Sequence, residues 1–139
     1  MDLATFGAIL SYAMEFEEQA AEFYASAAKG DLEEIFTDLE RSSRKRAKRM
    51  ERTRREGVAE MILEPIMDLN GNDYQTELSV DAGEQILLER AITLEATSAR
   101  FYQDAAEKLP IRDVVRTFTR MAKENEKRKT RLEAMNLGS

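Results

Sequence analysis

Apolar residues Phe6, Leu10, Ala13, Ala20, Tyr24 and Ala27 recur at three- and four-residue steps, while Glu15, Glu18 and Glu22 fall off that stripe. This spacing predicts a long amphipathic helix over about residues 2–29. Gly30 is placed to stop it, and Asp31 with Glu34 has the form of a capping box that opens a second helix after a very short connection. Two antiparallel helices follow from so tight a turn. The second runs to about Glu56, where Gly57 can end it, and its large apolar residues are Phe36, Leu39 and Met50. A helix that buries those three on one stripe must also turn Ser43 and Arg46 or Ala47 towards the same seam. Its buried middle is therefore polar.

Residues 57–80 break the period. Val58 to Leu63 has the composition of a short helix, Pro65 interrupts it, and Leu69-Asn70-Gly71-Asn72-Asp73 is rich in turn formers. A connection of this length reads as a crossover rather than a helix-to-helix loop. Asp81 with Glu84 suggests another capping box, and the third helix carries Ile86, Leu87, Ala91, Leu94, Ser98, Tyr102 and Ala105 inward. Pro110 suits the first turn of a fourth helix that continues to about Met135. There Phe118, Met121 and Leu132 form the apolar frame around a polar middle of Asn125 and Arg128. The expected fold is all-α: a four-helix bundle of two antiparallel hairpins, about 2–56 and 81–136, joined by a long crossover at about 57–80. Residues 1–139 form one domain in this reading.

Composition narrows the chemistry. A chain of 139 residues is long enough to build a core without disulfides or a structural metal. Cysteine and histidine are both absent, which excludes thiolate metal sites, iron-sulfur clusters, a cysteine nucleophile and the usual general base near neutral pH. Any metal site must be built from carboxylates and other oxygens. The amino-terminal apolar residues lack a basic start and meet Glu15 before reaching membrane length, so neither secretion nor a membrane span is expected, and the location reads as cytoplasmic. Gly138-Ser139 reads as a cloning remnant. Net charge is -6, which weighs against a general nucleic-acid binder but hides segregation between helices.

The two halves repeat. Ala13, Glu17, Ala20 and Tyr24 match Ala91, Glu95, Ser98 and Tyr102 in spacing, and Phe36-x-x-Leu39 matches Phe118-x-x-Met121 one helix later. This pattern resembles the rubrerythrin branch of the ferritin-like superfamily over nearly the whole chain. The resemblance implies a ferritin-like bundle whose relatives hold a carboxylate-bridged di-iron centre. In them, each hairpin supplies a glutamate from its first helix and a Glu-x-x-His pair from its second. Carried over by position, the first-helix glutamates are Glu17 and Glu95. The second-helix glutamates fall on Ser43 and Asn125, the histidines on Arg46 and Arg128, and a further carboxylate position falls on Ser98. Both Glu-x-x-His motifs are missing, and there are no cysteines for a rubredoxin-like domain.

Two carboxylates do not replace a six-ligand shell, and a guanidinium offers a cation no lone pair. Arg46 and Arg128 can instead satisfy Glu17 and Glu95, because a buried carboxylate requires a partner. The expectation is an internal Arg-Glu network, extended by Ser43, Asn125, Tyr24 and Tyr102, with no cofactor. The protein would then be a non-catalytic binding, regulatory or assembly module, and by fold analogy a homo-oligomer. The alternative is an atypical carboxylate-only iron or manganese oxidoreductase, or an iron-handling protein, drawing on Glu17, Glu18, Glu40, Glu95 and Glu124. Tyr24 and Tyr102 read as core residues with a hydroxyl partner, and Met14, Met50 and Met121 as packing residues.

Nine residues between Arg41 and Arg55 are Lys or Arg, among them Arg41, Arg44, Lys45, Lys48, Arg49, Arg52 and Arg55. The fourth helix is also basic, while the first and third lean acidic. Pairing between adjacent helices accounts for much of this. The excess leaves an exposed basic face suited to an acidic protein, an anionic surface or, as a second alternative, nucleic acid. No aromatic residues interleave with the run, which weakens a stacking mode of binding.

Overall fold

The computed structural model describes residues 2–57, 66–135 and 137. Four long helices carry the described chain: α1 (Phe6–Ala27), α2 (Glu33–Gly57), α3 (Glu84–Lys108) and α4 (Arg112–Glu133). Among these residues no helix is long and apolar enough to cross a membrane. The chain divides into two compact units, Met1–Gly71 and Asn72–Ser139. The expected short helix at Val58 to Leu63 and the break at Pro65 lie outside the described residues.

In the first unit, α1 begins at Phe6 rather than near residue 2. Thr5 caps it, its Oγ1 accepting from the Ala8 backbone N–H at 3.0 Å. Residues 2–4 are instead held by the segment that follows α2: Asp2 bridges Asn70, Leu3 N–H donates to Leu69 O, and Ile66 N–H donates to Ala4 O. Tyr12 then donates to Gly71 O at 2.9 Å, so residues 66–71 of the expected crossover pack against the start of the chain and α1. The turn between the helices is tight, as expected. Gly30 takes a left-handed φ of 54° there, which glycine adopts without a Cβ penalty. Asp31 falls inside a one-turn 3-10 helix, Gly30–Leu32, that leads directly into α2.

The side-chain pairs show that α1 and α2 run antiparallel. Tyr24 meets Phe36 near the turn, Glu17 meets Arg46 midway, and Ser11 meets Arg54 at the far end. Phe36, Leu39 and Met50 are buried from α2, as are Ile9, Leu10, Ala13 and Ala20 of α1. Glu33 and Glu34 open α2 and Arg54 and Arg55 close it, the arrangement that a helix dipole favours.

The second unit repeats this plan. Tyr102 meets Phe118 near the turn, and Glu95 meets Asn125 and Arg128 farther along, so α3 and α4 are also antiparallel. Residues 72–80 lie along α3: Arg100 donates to Asp73 O, Arg90 donates to Ser79 O, and Tyr74 donates to Asp104. Three boundary expectations shift. Gly83 is the N-cap of α3 and no side chain caps it, so Asp81 stands too early to form the box. Ile111 is the N-cap of α4, which places Pro110 before the helix. Ile86 is 44% exposed, because it lies in the first turn of α3 where the inward stripe has only begun.

Candidate functional site: two buried glutamates and their partners

The residues singled out by the repeat fall on the buried faces of both hairpins. Glu17 and Glu95 are each 2% exposed, and Ser43, Ser98 and Asn125 are as deeply buried. A carboxylate so far from water is strongly unfavourable unless donors or cations face it. Each hairpin supplies them from its second helix.

In the first hairpin, Arg46 Nη1 stands 3.4 Å from Glu17 Oε2, and Arg46 is 5% exposed. The helix period explains the meeting, since Arg46 lies one turn from both Ser43 and Met50 on the stripe that α2 turns towards α1. In the second hairpin, Asn125 Nδ2 donates to Glu95 Oε1 at 3.0 Å, and Arg128 Nη1 is 3.6 Å from the same oxygen. Placing the amide nitrogen against the carboxylate is the only orientation that avoids facing two oxygens. The Arg128 side chain is 13% exposed, so this cation keeps some contact with water. The two arrangements are related but unequal: the first unit carries its charge pair deep, whereas the second adds a neutral amide donor and lets its arginine reach outward.

The hydroxyls expected to extend the network do not all join it. Ser43 Oγ and Ser98 Oγ make no hydrogen bond among the described residues. Asn125, at the position equivalent to Ser43, carries a longer side chain and does donate to its glutamate. Tyr24 and Tyr102, both fully buried, sit in aromatic clusters. Tyr24 packs edge-on against Phe36 and Phe23, with centroids 5.1 and 5.4 Å away, and Tyr102 packs against Phe118 and Phe101 at 5.0 and 5.1 Å. Phe23 and Phe101 were not singled out in the sequence. The repeated Phe-Tyr dipeptide was the available signal, hidden because Phe23 and Phe101 lie beside rather than on the inward stripe.

The donor set does not fit a di-iron centre. Each retained glutamate faces a guanidinium within 4 Å, and Asn125 directs an N–H, not a lone pair, at Glu95. A metal cation there would meet positive charge and occupied carboxylate oxygens. Glu18 and Glu124 are exposed, Glu40 accepts from Arg44 Nε at 2.8 Å, and among the described residues no group of three or more acidic side chains is placed to hold an ion.

Arg41, Arg44, Lys45, Lys48, Arg49, Arg52 and Arg55 are all exposed on α2. Two phenols outside the buried pairs are perturbed. Burial, and then the negative charge of Glu15, pushes Tyr12 up to about 12. Tyr74 is raised further by burial and then by its hydrogen bond to Asp104, while Arg100, 5.0 Å from the ring centroid, opposes the shift. Comparison with known protein families, with curated proteins and with solved structures gave no match.

Proposed function

We propose that the chain is a rubrerythrin-like, ferritin-like protein whose di-iron ligands have been replaced by internal ion pairs. In this reading it works without metal or redox chemistry, as a cytoplasmic, homo-oligomeric binding, regulatory or assembly module. The observation that carries the proposal is the pairing of both retained glutamates with the residues that stand in the former histidine positions, Glu17 with Arg46 and Glu95 with Arg128. The same substitution in each hairpin turns a ligand-bearing seam into one that neutralises itself. Asn125 completes the change by donating to Glu95 where a metal-binding glutamate would stand in the relatives.

Such a seam supports folding, and it leaves the protein's biological action to its surfaces. The test is elemental analysis after aerobic loading with iron(II) and manganese(II) followed by desalting. The expected result is no stoichiometric metal and no oxygen or peroxide turnover. Retention of about two ions per chain would overturn the proposal, since a paired metal centre is what the ancestral ligand pattern serves. Light scattering behind size exclusion reads the assembly state, and a monomer would remove the assembly role.

A further inference from the structure

The basic residues of the two second helices are not spread around them. On α2, the seven cations named above fall within an arc of roughly 140° about the helix axis. That arc lies opposite the buried side formed by Phe36, Leu39, Ser43 and Met50. On α4, Arg112, Arg116, Arg120, Lys123, Lys127 and Arg131 occupy an arc of roughly 100°, opposite Val114, Phe118, Met121, Asn125 and Leu132. Every one of these thirteen side chains is exposed. The stripes extend for about 21 Å and about 28 Å along their helices. Between Arg41 and Arg55 no acidic residue enters the α2 arc, although Glu51 stands about 20° beyond its edge and Arg44 is bonded to Glu40; on α4 Asp113 stands at the margin and Glu124 about 20° beyond it. Part of the α4 stripe, from Arg112 to Lys123, lines an open groove with Val115 and Thr119 at its edge.

A cationic surface facing directly away from its own hairpin is poorly placed to serve the adjacent acidic helix. The acidic residues of α1, Glu15, Glu18 and Glu22, are themselves exposed. We propose that the α2 and α4 stripes each bind the phosphate backbone of double-stranded DNA without regard to sequence.

The chemistry of the stripes selects this partner over other anions. A protein interface needs a desolvated apolar or aromatic centre, and the α2 stripe contains only Lys and Arg. An anionic membrane would engage an amphipathic helix through its apolar face, but those faces of α2 and α4 are buried. Among the described residues the exposed large apolar side chains, Met67 and Ile86, lie on neither helix. Arginine predominates on both stripes and matches phosphate with a planar fork of donors. No aromatic side chain lies on either stripe to stack unpaired bases, which favours a duplex over a single strand. Close spacing of duplex phosphates meets a dense row of cations, and counterion release supplies the affinity even in a protein of net charge -6. The inference stands apart from the metal question, because these side chains are exposed whereas the two glutamates are buried.

The test is fluorescence anisotropy with the full chain and two DNA duplexes of unrelated sequence across a salt series. Matched single-stranded DNA, poly-glutamate and phosphatidylserine vesicles serve as competitors. Both duplexes should bind alike, with affinity falling by roughly a thousandfold between 50 and 200 mM salt if about six phosphates are engaged. The variants R116A/K123A/R120A on α4 and K45A/K48A/R52A on α2 should each lower the salt slope by up to about three, and their combination should abolish binding. Lys108→Ala, outside both stripes, should bind as the parent does, and circular dichroism should show every variant folded. Absence of duplex binding at 50 mM salt overturns the proposal. So does equal or better competition by single strands, poly-glutamate or vesicles, the last two assigning the stripes to an acidic protein or a membrane surface. Folded stripe variants that bind unchanged would overturn it as well.

Discussion

Replacing Arg46 by methionine keeps most of the side-chain volume and removes the cation that faces Glu17. Glu17 is 2% exposed and Arg46 5%, so water does not readily replace what is lost. Removing one partner of a buried pair costs about 3–5 kcal/mol, because the other charge stays behind unneutralised. The contact is 3.4 Å, at the long end for a hydrogen-bonded pair, which favours the lower end, about 3 kcal/mol. For a chain of this size that is a fall in Tm of about 12 °C. The equivalent change in the second hairpin, Arg128→Met, should cost only about 1 kcal/mol. Glu95 keeps the Asn125 hydrogen bond at 3.0 Å, and Arg128, 13% exposed and 3.6 Å away, contributes a partly screened attraction. The double variant Glu17→Gln with Arg46→Met should recover most of the loss, since removing both charges also removes their desolvation penalty. Urea unfolding of the parent, the single variants and the double variant closes a cycle whose coupling should exceed about 1.5 kcal/mol. Equal losses for Arg46→Met and Arg128→Met, or additive effects of Glu17→Gln and Arg46→Met, would refute the assignment of Glu17 to Arg46.

Two further outcomes follow from the first unit and from the perturbed phenols. A Cβ on Gly71 would come within 2.5 Å of the Tyr12 ring, so Gly71→Ala should displace the ring, weaken the Tyr12 bond to Gly71 O and cost about 1–3 kcal/mol in urea unfolding; no loss would show that the ring has room to move. For Tyr12 and Tyr74 the folded state disfavours the phenolate. Their contribution to stability is therefore fully present below the unfolded value near 10 and is lost as pH rises, for Tyr12 through about 12. Phenolate absorbance on alkaline titration should show late-ionising phenols that appear at the ordinary pH once the chain is unfolded, with Tyr12→Phe removing one of them. Ordinary titration in the folded protein would contradict the burial of Tyr12 and Tyr74.

The all-helical architecture was legible because its signal is local and repeated. Phe36, Leu39 and Met50 mark the buried stripe of α2, and Ser43 and Arg46 necessarily share it. What the sequence concealed depends on contacts between distant residues. The start of α1 moves from residue 2 to Phe6 because residues 2–4 take up backbone bonds with residues 66–70, a pairing with no periodic signature. The box at Asp81 fails for a different reason: the chain places Gly83 at the cap, and the motif cannot reveal where the first helical turn will close. Phe23 and Phe101 escaped notice because a three- or four-residue period assigns one inward position per turn, whereas here two adjacent rings of each dipeptide pack against the facing helix. The buried glutamates were visible only through the repeat. Taken singly, each reads as an ordinary boundary carboxylate.

The inequality between the hairpins carries a physical lesson that position-by-position comparison misses. Ser43 and Asn125 occupy equivalent places, yet only the amide donates to its glutamate. Where that neutral donor is present, Arg128 can sit partly outward, 3.6 Å from Glu95, with its charge shared between the carboxylate and water. In the first hairpin Arg46 is 5% exposed, and its guanidinium stands 3.4 Å from Glu17. Serine and asparagine are thus not interchangeable at these two equivalent positions, since one donates to its glutamate and the other does not. A buried carboxylate constrains the total of charge and donors around it rather than the identity of any one neighbour. Two hairpins can therefore keep their glutamates while reaching that balance by different residues.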